Sequence, residues 1–282
     1  MVNFSVSVWS DFFNDIPIEE SIENFIVEGF SCTELSINHG NLLLQRDGTP
    51  EAIGNKLAEF VKSRNFRIPQ GHLSFKKGLC SAEAQDDLKR EIDLFLSLGI
   101  KNAIIHVNGG GNLPEEERFQ LRCRSLATLT DYVKGTDLKL CIENLGSVPE
   151  THTIERIRKF MDAVNSDNLG VCLDTGHLHL VNGRGEATQA QSKFILGAGD
   201  DLCAMHVTNN SGFNDVHLMP FSSRYGVDWK DVLQALRIVD YKGLFNLEIL
   251  GENKAPMYIR KEKLKFIKKM IDYMISDEFL EE

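Results

Sequence analysis

Residues 170–180 read GVCLDTGHLHL. The stretch begins as a buried strand does, with Val171, Cys172 and Leu173 in a row, and ends in Asp174, Thr175, Gly176 and His177. Burial disfavours an ionised carboxylate unless a partner or a metal neutralises it. Two questions follow. Which architecture brings an acid to the end of a buried strand, and what neutralises Asp174 there, three residues before a histidine?

The rest of the chain repeats the pattern. Residues 3–9 (NFSVSVW), 32–38 (CTELSIN), 67–75 (RIPQGHLSF), 102–108 (NAIIHVN), 138–145 (LKLCIENL), 169–176, 202–209 (LCAMHVTN) and 245–250 (FNLEIL) read as strands, eight in all. A helix-like run follows each: 18–29, 50–64, 82–99, 114–133, 152–165, 187–199, 228–239 and 259–274. Apolar residues recur there every three or four positions, the period of an amphipathic helix. Several runs open with Pro or Asp and close with Gly, as helix ends prefer. Eight strand–helix units without a break in composition predict an α/β fold, a (β/α)8 barrel occupying residues 1–282 as a single domain. A doubly wound open sheet is the alternative, but no GxGxxG follows the first strand.

Composition narrows the function. The chain has 282 residues, 42% of them apolar and 26% charged, and a net charge of −10. That acidic balance does not attract polyphosphate, so nucleic acid is disfavoured as a partner. The nearest basic run, RKEKLKFIKK (260–269), reads as the solvated face of the last helix. No apolar stretch reaches membrane-spanning length. The first residues lack the charged region and apolar core of a signal peptide. The six cysteines (Cys32, Cys80, Cys123, Cys141, Cys172 and Cys203) form no CxxC pair. Together these predict a cytoplasmic protein with reduced thiols.

A barrel carries its chemistry on the C-terminal ends of its strands. The polar residues there are His39 on the second, His72 on the third, His106 on the fourth, Glu143 on the fifth and Asp174 with His177 on the sixth. His206 follows on the seventh and Glu248 on the eighth, and Asp215 and His217 lie in the loop after the seventh. Two positions earlier stand Cys141, Cys172, Ala204 and Asn246, which would share the inward face with Glu143, Asp174, His206 and Glu248. Ile142, Leu173 and Leu247 would face the helices. Any one of these polar groups alone has a structural explanation, such as a strand-end histidine satisfied by its neighbours. Three acids and several histidines converging on one mouth need a cation, and mixed carboxylate and imidazole ligands suit Zn, Mn, Co or Fe better than Ca.

The chain resembles the xylose isomerase-like barrel superfamily along nearly its whole length. IENLG (142–146), LDTGH (173–177), HVTNNSGFNDVHLMP (206–220) with GVDW (226–229), and YKGLFNLEI (241–249) carry the resemblance. That superfamily contains sugar and sugar phosphate isomerases and epimerases, related dehydratases, and zinc-dependent apurinic endonucleases. In the isomerase and epimerase branch the resemblance implies that Glu143, Asp174, His206 and Glu248 bind one divalent metal, Zn, Mn or Co. Glu143 and Glu248 would also move a proton beside a carbonyl through a metal-stabilised enediolate, and His177 would contact a substrate oxygen. The endonuclease branch implies nine ligands for three zinc ions, adding His72, His106, His177, Asp215 and His217. The surroundings of His72 and His106, and the absence of a basic groove, favour a small sugar or sugar phosphate as the partner. A dehydratase is a near neighbour, because it starts from the same proton abstraction. The chain departs from the sugar branch at Thr208 and Asn209, where relatives often have His and Asp, and at PFSSRYG (220–226). The resemblance allows a homo-oligomer.

Weaker signals remain. NGGGN (108–112) could cradle a phosphate or be a plain barrel loop. Arg224 and Lys254 lie after strands seven and eight, where barrels often hold phosphate. Trp9 could stack on a sugar ring, and His39 could touch substrate. His152 and His179 fit no role.

Overall fold

The computed structural model describes residues 4–146, 148–183 and 189–282, without the side chains of 181–183. Its elements run β1 (Ser5–Val8), α1 (Ile18–Val27), β2 (Cys32–Leu35), α2 (Ile37–Leu44), α3 (Pro50–Ser63), β3 (Arg67–His72), α4 (Ala82–Leu98) and β4 (Asn102–Ile105). They continue α5 (Glu115–Tyr132), β5 (Lys139–Glu143), α6 (Ile154–Val164), β6 (Leu169–Asp174), α7 (Thr175–Gly183), α8 (Gln191–Ala198), β7 (Leu202–Val207), α9 (Trp229–Ile238), β8 (Leu244–Leu247), α10 (Met257–Met274) and α11 (Asp277–Glu281). Asn3, Ala187 and Thr188, which open two of the expected segments, lie outside the described residues.

All eight expected strands are present, each ending earlier than expected and the eighth beginning one residue sooner, at Leu244, and every pairing is parallel in the order β1-β8-β7-β6-β5-β4-β3-β2. This is a nearly closed (β/α)8 barrel. Between β1 and β2 no backbone ladder forms. Thr33 Oγ1 donates to the Val8 carbonyl at 2.6 Å and bridges the seam instead.

Helix ends follow their local chemistry. Ser81 caps α4 by accepting from the Ala84 N–H, and Gly99 closes that helix at φ 84°, a conformation that costs glycine nothing. Asp228 caps α9 by accepting from the Lys230 and Asp231 N–H groups. Three helices go beyond the expected set. α2 and α7 start within two residues of their strands, so the strand reading absorbed their first turns, and α11 is a short terminal turn.

The two-residue alternation holds. Cys141, Cys172 and Ala204 pack with Ile104 as a small cluster inside the barrel, while Ile142, Leu173 and Leu247 join the main core under the helices. Asp174 sits directly opposite His206 in the β6–β7 register. Neighbours in register share a face, so both side chains enter the barrel mouth.

The basic run on α10 departs from expectation at one position. Arg260 is 1% exposed. Its Nε donates to the Gly251 carbonyl at 3.0 Å, its Nη2 to Phe12 at 2.9 Å, and its Nη1 to Asp15 Oδ2 at 2.9 Å. One guanidinium thus ties the loop after β8 to the loop after β1. The i, i+3, i+4 pattern of the helix does not reveal this, because the acceptors, two backbone carbonyls and the Asp15 carboxylate, lie in loops outside it. Replacing Arg260 by Met would leave those carbonyls unsatisfied in a buried place, at about 1–3 kcal/mol for such a group. Arg260→Met should therefore lower the urea midpoint clearly. Arg260→Lys should not restore it, because an ammonium cannot span three acceptors in a fork. A wild-type midpoint for Arg260→Met would show that the clamp contributes nothing, and one for Arg260→Lys that the fork geometry is not needed.

Candidate metal centre

β5, β6, β7 and the residue after β8 deliver Glu143, Asp174, His206 and Glu248 to one point. All four are buried, and one donor atom from each lies within 4.8 Å of the others. His206 Nδ1 is 3.1 Å from Glu143 Oε1, 3.1 Å from Glu248 Oε2 and 4.0 Å from Asp174 Oδ2. Asp174 Oδ2 is sealed from solvent with no hydrogen-bond partner. An orphaned carboxylate oxygen beside two carboxylates and an imidazole nitrogen is what a divalent cation would satisfy. The cluster fits a metal on its own chemistry.

The sequence LDTGH explains itself residue by residue. Asn144 brackets the end of β6, with its Oδ1 accepting from the Asp174 N–H at 2.7 Å and its Nδ2 donating to the Asp174 carbonyl at 3.0 Å. Asp174 Oδ1 accepts from the His177 N–H at 2.6 Å in the first turn of α7, which leaves Oδ2 for the centre. Thr175 Oγ1 donates to the Thr208 carbonyl at 2.7 Å and accepts from the Thr208 N–H at 3.0 Å, bolting β6 to the end of β7. A β-carbon on Gly176 would stand 2.6 Å from Thr208 Cγ2, closer than carbon atoms approach.

The other expected ligands gather around this core in two groups. On one side His106 Nε2 is 2.7 Å and His72 Nε2 is 3.5 Å from Glu143 Oε2. On the other, His177 Nδ1 is 3.3 Å from Glu143 Oε1, and its Nε2 is 3.2 Å from Asp215 Oδ2. His217 Nε2 lies 3.6 Å from Asp215 Oδ1. All nine candidates are therefore brought together.

Above them opens a cavity of about 280 Å³. Its further lining includes Trp9, Asp11, Ser36 and Phe75. Trp9 stacks on the His217 ring at 5.8 Å, and Phe75 stacks on His106 at 4.2 Å. No lysine or arginine lines it among the described residues.

Burial and mutual charge set the protonation of the centre. Burial raises the Asp174 carboxyl and pushes that of Glu248 up to about 7. Burial also acts upward on Glu143, but the surrounding imidazoles of His206 and His106 outweigh it and hold this carboxyl well below the usual range. Burial would lower His206 and His177, yet neighbouring carboxylates carry both well above the ordinary imidazole value. His217 is carried up to about 10 despite its burial, with Asp215 the largest opposing influence. A cation binding here would compete with protons for these same groups.

Several expectations fall elsewhere. His39 does not end the second strand or reach the mouth. It lies in the first turn of α2, 1% exposed, with Nε2 3.0 Å from the Ile16 carbonyl. The strand stops at Leu35 because Ser36 caps the helix. The NGGGN loop is held by Arg122, whose Nε and Nη2 donate to the Gly109 carbonyl at 3.0 and 2.9 Å. Arg224 lies over the Tyr225 ring, and neither it nor Lys254 lines the cavity. His179 Nε2 is 2.6 Å from the Tyr225 carbonyl. Phe75, Asp11 and Ser36 of the cavity lining, and Glu34 beneath it, escaped the sequence reading. Phe75 gave no local signal. Glu34 did, as an acid inside a buried strand, the same feature that singled out Asp174.

The chain belongs to the xylose isomerase-like TIM barrel family, whose model matches residues 28–270. A D-psicose 3-epimerase of Enterocloster bolteae is 25% identical over 209 residues, covering 68% of this chain and 65% of the relative. An uncharacterized protein of Sinorhizobium fredii is 26% identical over 166 residues, covering 57% of this chain and 51% of the relative. The matched regions span about half to two thirds of the length of these curated relatives. Among solved structures, D-psicose 3-epimerase from Clostridium cellulolyticum with D-tagatose superposes with a TM-score of 0.77 at 15% identity, covering 97% of this chain and 100% of that one. That likeness is one of fold.

The Thr175 bolt is testable. Thr175→Val keeps the side-chain shape but strands the Thr208 N–H and carbonyl, and should cost about 1–3 kcal/mol. Urea unfolding of the metal-free protein would read this directly. An unchanged midpoint would mean that the β6–β7 junction does not depend on the hydroxyl.

Proposed function

We propose that the chain is a divalent-metal-dependent isomerase or epimerase of a small sugar. The observation that carries this reading is the pair of buried carboxylates, Glu143 and Glu248, each 3.1 Å from His206 Nδ1 at the floor of the cavity. Zn, Mn or Co suits the donor set of Glu143, Asp174, His206 and Glu248. Such a cation would polarise a substrate carbonyl and offset the negative charge that develops on it. One of Glu143 and Glu248 takes a proton from the carbon beside that carbonyl, giving an enediolate, and the other returns it. His177, with one nitrogen toward Glu143 and the other toward Asp215, holds a substrate oxygen. Trp9 and Phe75 give the mouth apolar faces suited to the C–H side of a sugar. The described lining has no ammonium or guanidinium to meet a phosphate, which favours an unphosphorylated sugar. The D-psicose 3-epimerase relative supports the same chemistry.

A second reading has its own observation. His72 and His106 beside Glu143, and His177, Asp215 and His217 on the other side, adjoin the central four as ligands of two further ions would, the arrangement of a three-zinc phosphodiesterase acting on abasic DNA. The net charge of −10 and a lining without lysine or arginine among the described residues oppose it. A dehydratase would use the central site in the same first step.

Three measurements separate these readings. Metal content of protein purified without added metal or chelator should be one ion per chain, and about three tightly held zinc ions would favour the nuclease. Chelation should abolish epimerisation of ketohexoses, and Mn or Co should restore it. Activity that survives complete metal removal would overturn the proposal. Glu143→Gln should lower turnover by at least about 10²–10⁴-fold, the usual contribution of a positioned acid or base, while His72→Ala should leave sugar turnover within about tenfold of wild type and reduce a three-metal enzyme far more.

A further inference from the structure

Glu34 has no place in the chemistry above, yet it is 0% exposed in the barrel interior. An ionised carboxylate there needs a partner. Its partner is His206, whose Nε2 lies 2.9 Å from Glu34 Oε2. Gln70, beside Glu34 in the β2–β3 register, donates its amide to the same oxygen and sends a longer hydrogen bond to the Met205 carbonyl at 3.4 Å. The other oxygen, Oε1, has no hydrogen-bond partner. The His72 ring stacks on that of His206, 5.4 Å away and 15° from parallel. The His206 ring is therefore held by its face and by its far nitrogen at once.

The two nitrogens of His206 have different surroundings. Nε2 meets one carboxylate oxygen that already receives a hydrogen bond from Gln70. Nδ1 meets Glu143 and Glu248 in the proposed metal cup. An imidazole that ligates through one nitrogen must carry its proton on the other, and the acceptor facing that other nitrogen decides which is which. We propose that Glu34 is a positioning residue that holds the proton of His206 on Nε2, so that the Nδ1 lone pair is turned toward a divalent cation, with Gln70 aiming the Glu34 carboxylate. The inference rests on the metal reading of the centre. It adds that the affinity of the cup is set from below by a strand that contributes no ligand.

The experiment is Co(II) titration of the metal-free protein followed by visible absorption, for wild type, Glu34→Gln and His206→Ala, with urea unfolding of each metal-free form. Glutamine keeps the shape and can keep the hydrogen bond but loses the charge that makes the imidazole a stronger donor. Glu34→Gln should bind Co(II) about 10–100-fold more weakly, the usual effect of removing such a partner. Its absorption band should shift, and its metal-free stability should stay at or above that of wild type. Wild-type affinity and spectrum in Glu34→Gln would overturn the positioning role and leave the metal reading standing. Failure of wild type to bind Co(II), or undiminished binding by His206→Ala, would overturn the metal reading and this inference with it. Because Glu34→Gln could misfold, histidine-selective ¹⁵N NMR of zinc-loaded wild type gives a second readout. His206 should carry its proton on Nε2 and its metal on Nδ1, and the reverse assignment would overturn the proposal.

Discussion

Four carboxylates and an imidazole buried in one barrel mouth are the constraint on which the structure turns. Glu34, Glu143, Asp174 and Glu248 surround His206, and all five lie out of water. No such group of acids is stable unless positive charge is shared among them. In the metal-free chain the carboxylates hold the His206 and His177 imidazoles well above their ordinary range, while burial raises the carboxyls of Asp174 and Glu248. The rest of the fold serves to bring these strands together and to keep them from parting.

The means are small and local. Thr175 bolts β6 to β7, Asn144 brackets Asp174 from β5, and Gly176 lets α7 begin against Thr208. The seam between β1 and β2 lacks a ladder, and there side chains take over, with Thr33 bridging to Val8 and Arg260 tying the loops that follow β1 and β8. The mouth formed by these loops is small and partly aromatic, and no lysine or arginine among the described residues lines it.

The eight strands and most helices were legible in the chain because their periods are local: two residues for a strand, 3.6 for a helix. The candidate cluster was legible because acids and histidines rarely end a buried strand without a reason. Glu143, Asp174, His206 and Glu248 could thus be named before any coordinates. His39 misled, because its strand gives way to a capped helix three residues earlier than hydrophobicity suggests. Arg260 looked like one more solvated charge, because its acceptors belong to remote loops. Glu34 was passed over within CTELSIN, since its only evident oddity was an acid in a buried run.

The sequence by itself determined the barrel, its order of units and the residue types at its mouth, because short-range periodicity and turn chemistry act within a few residues. Only the tertiary structure decided which nitrogen of His206 faces the cup, which oxygen of Asp174 is left unpaired, and that Glu34 reaches His206 across 172 positions of chain. Those outcomes depend on distances between strands that meet only when the barrel closes, and no local pattern encodes a distance of that kind.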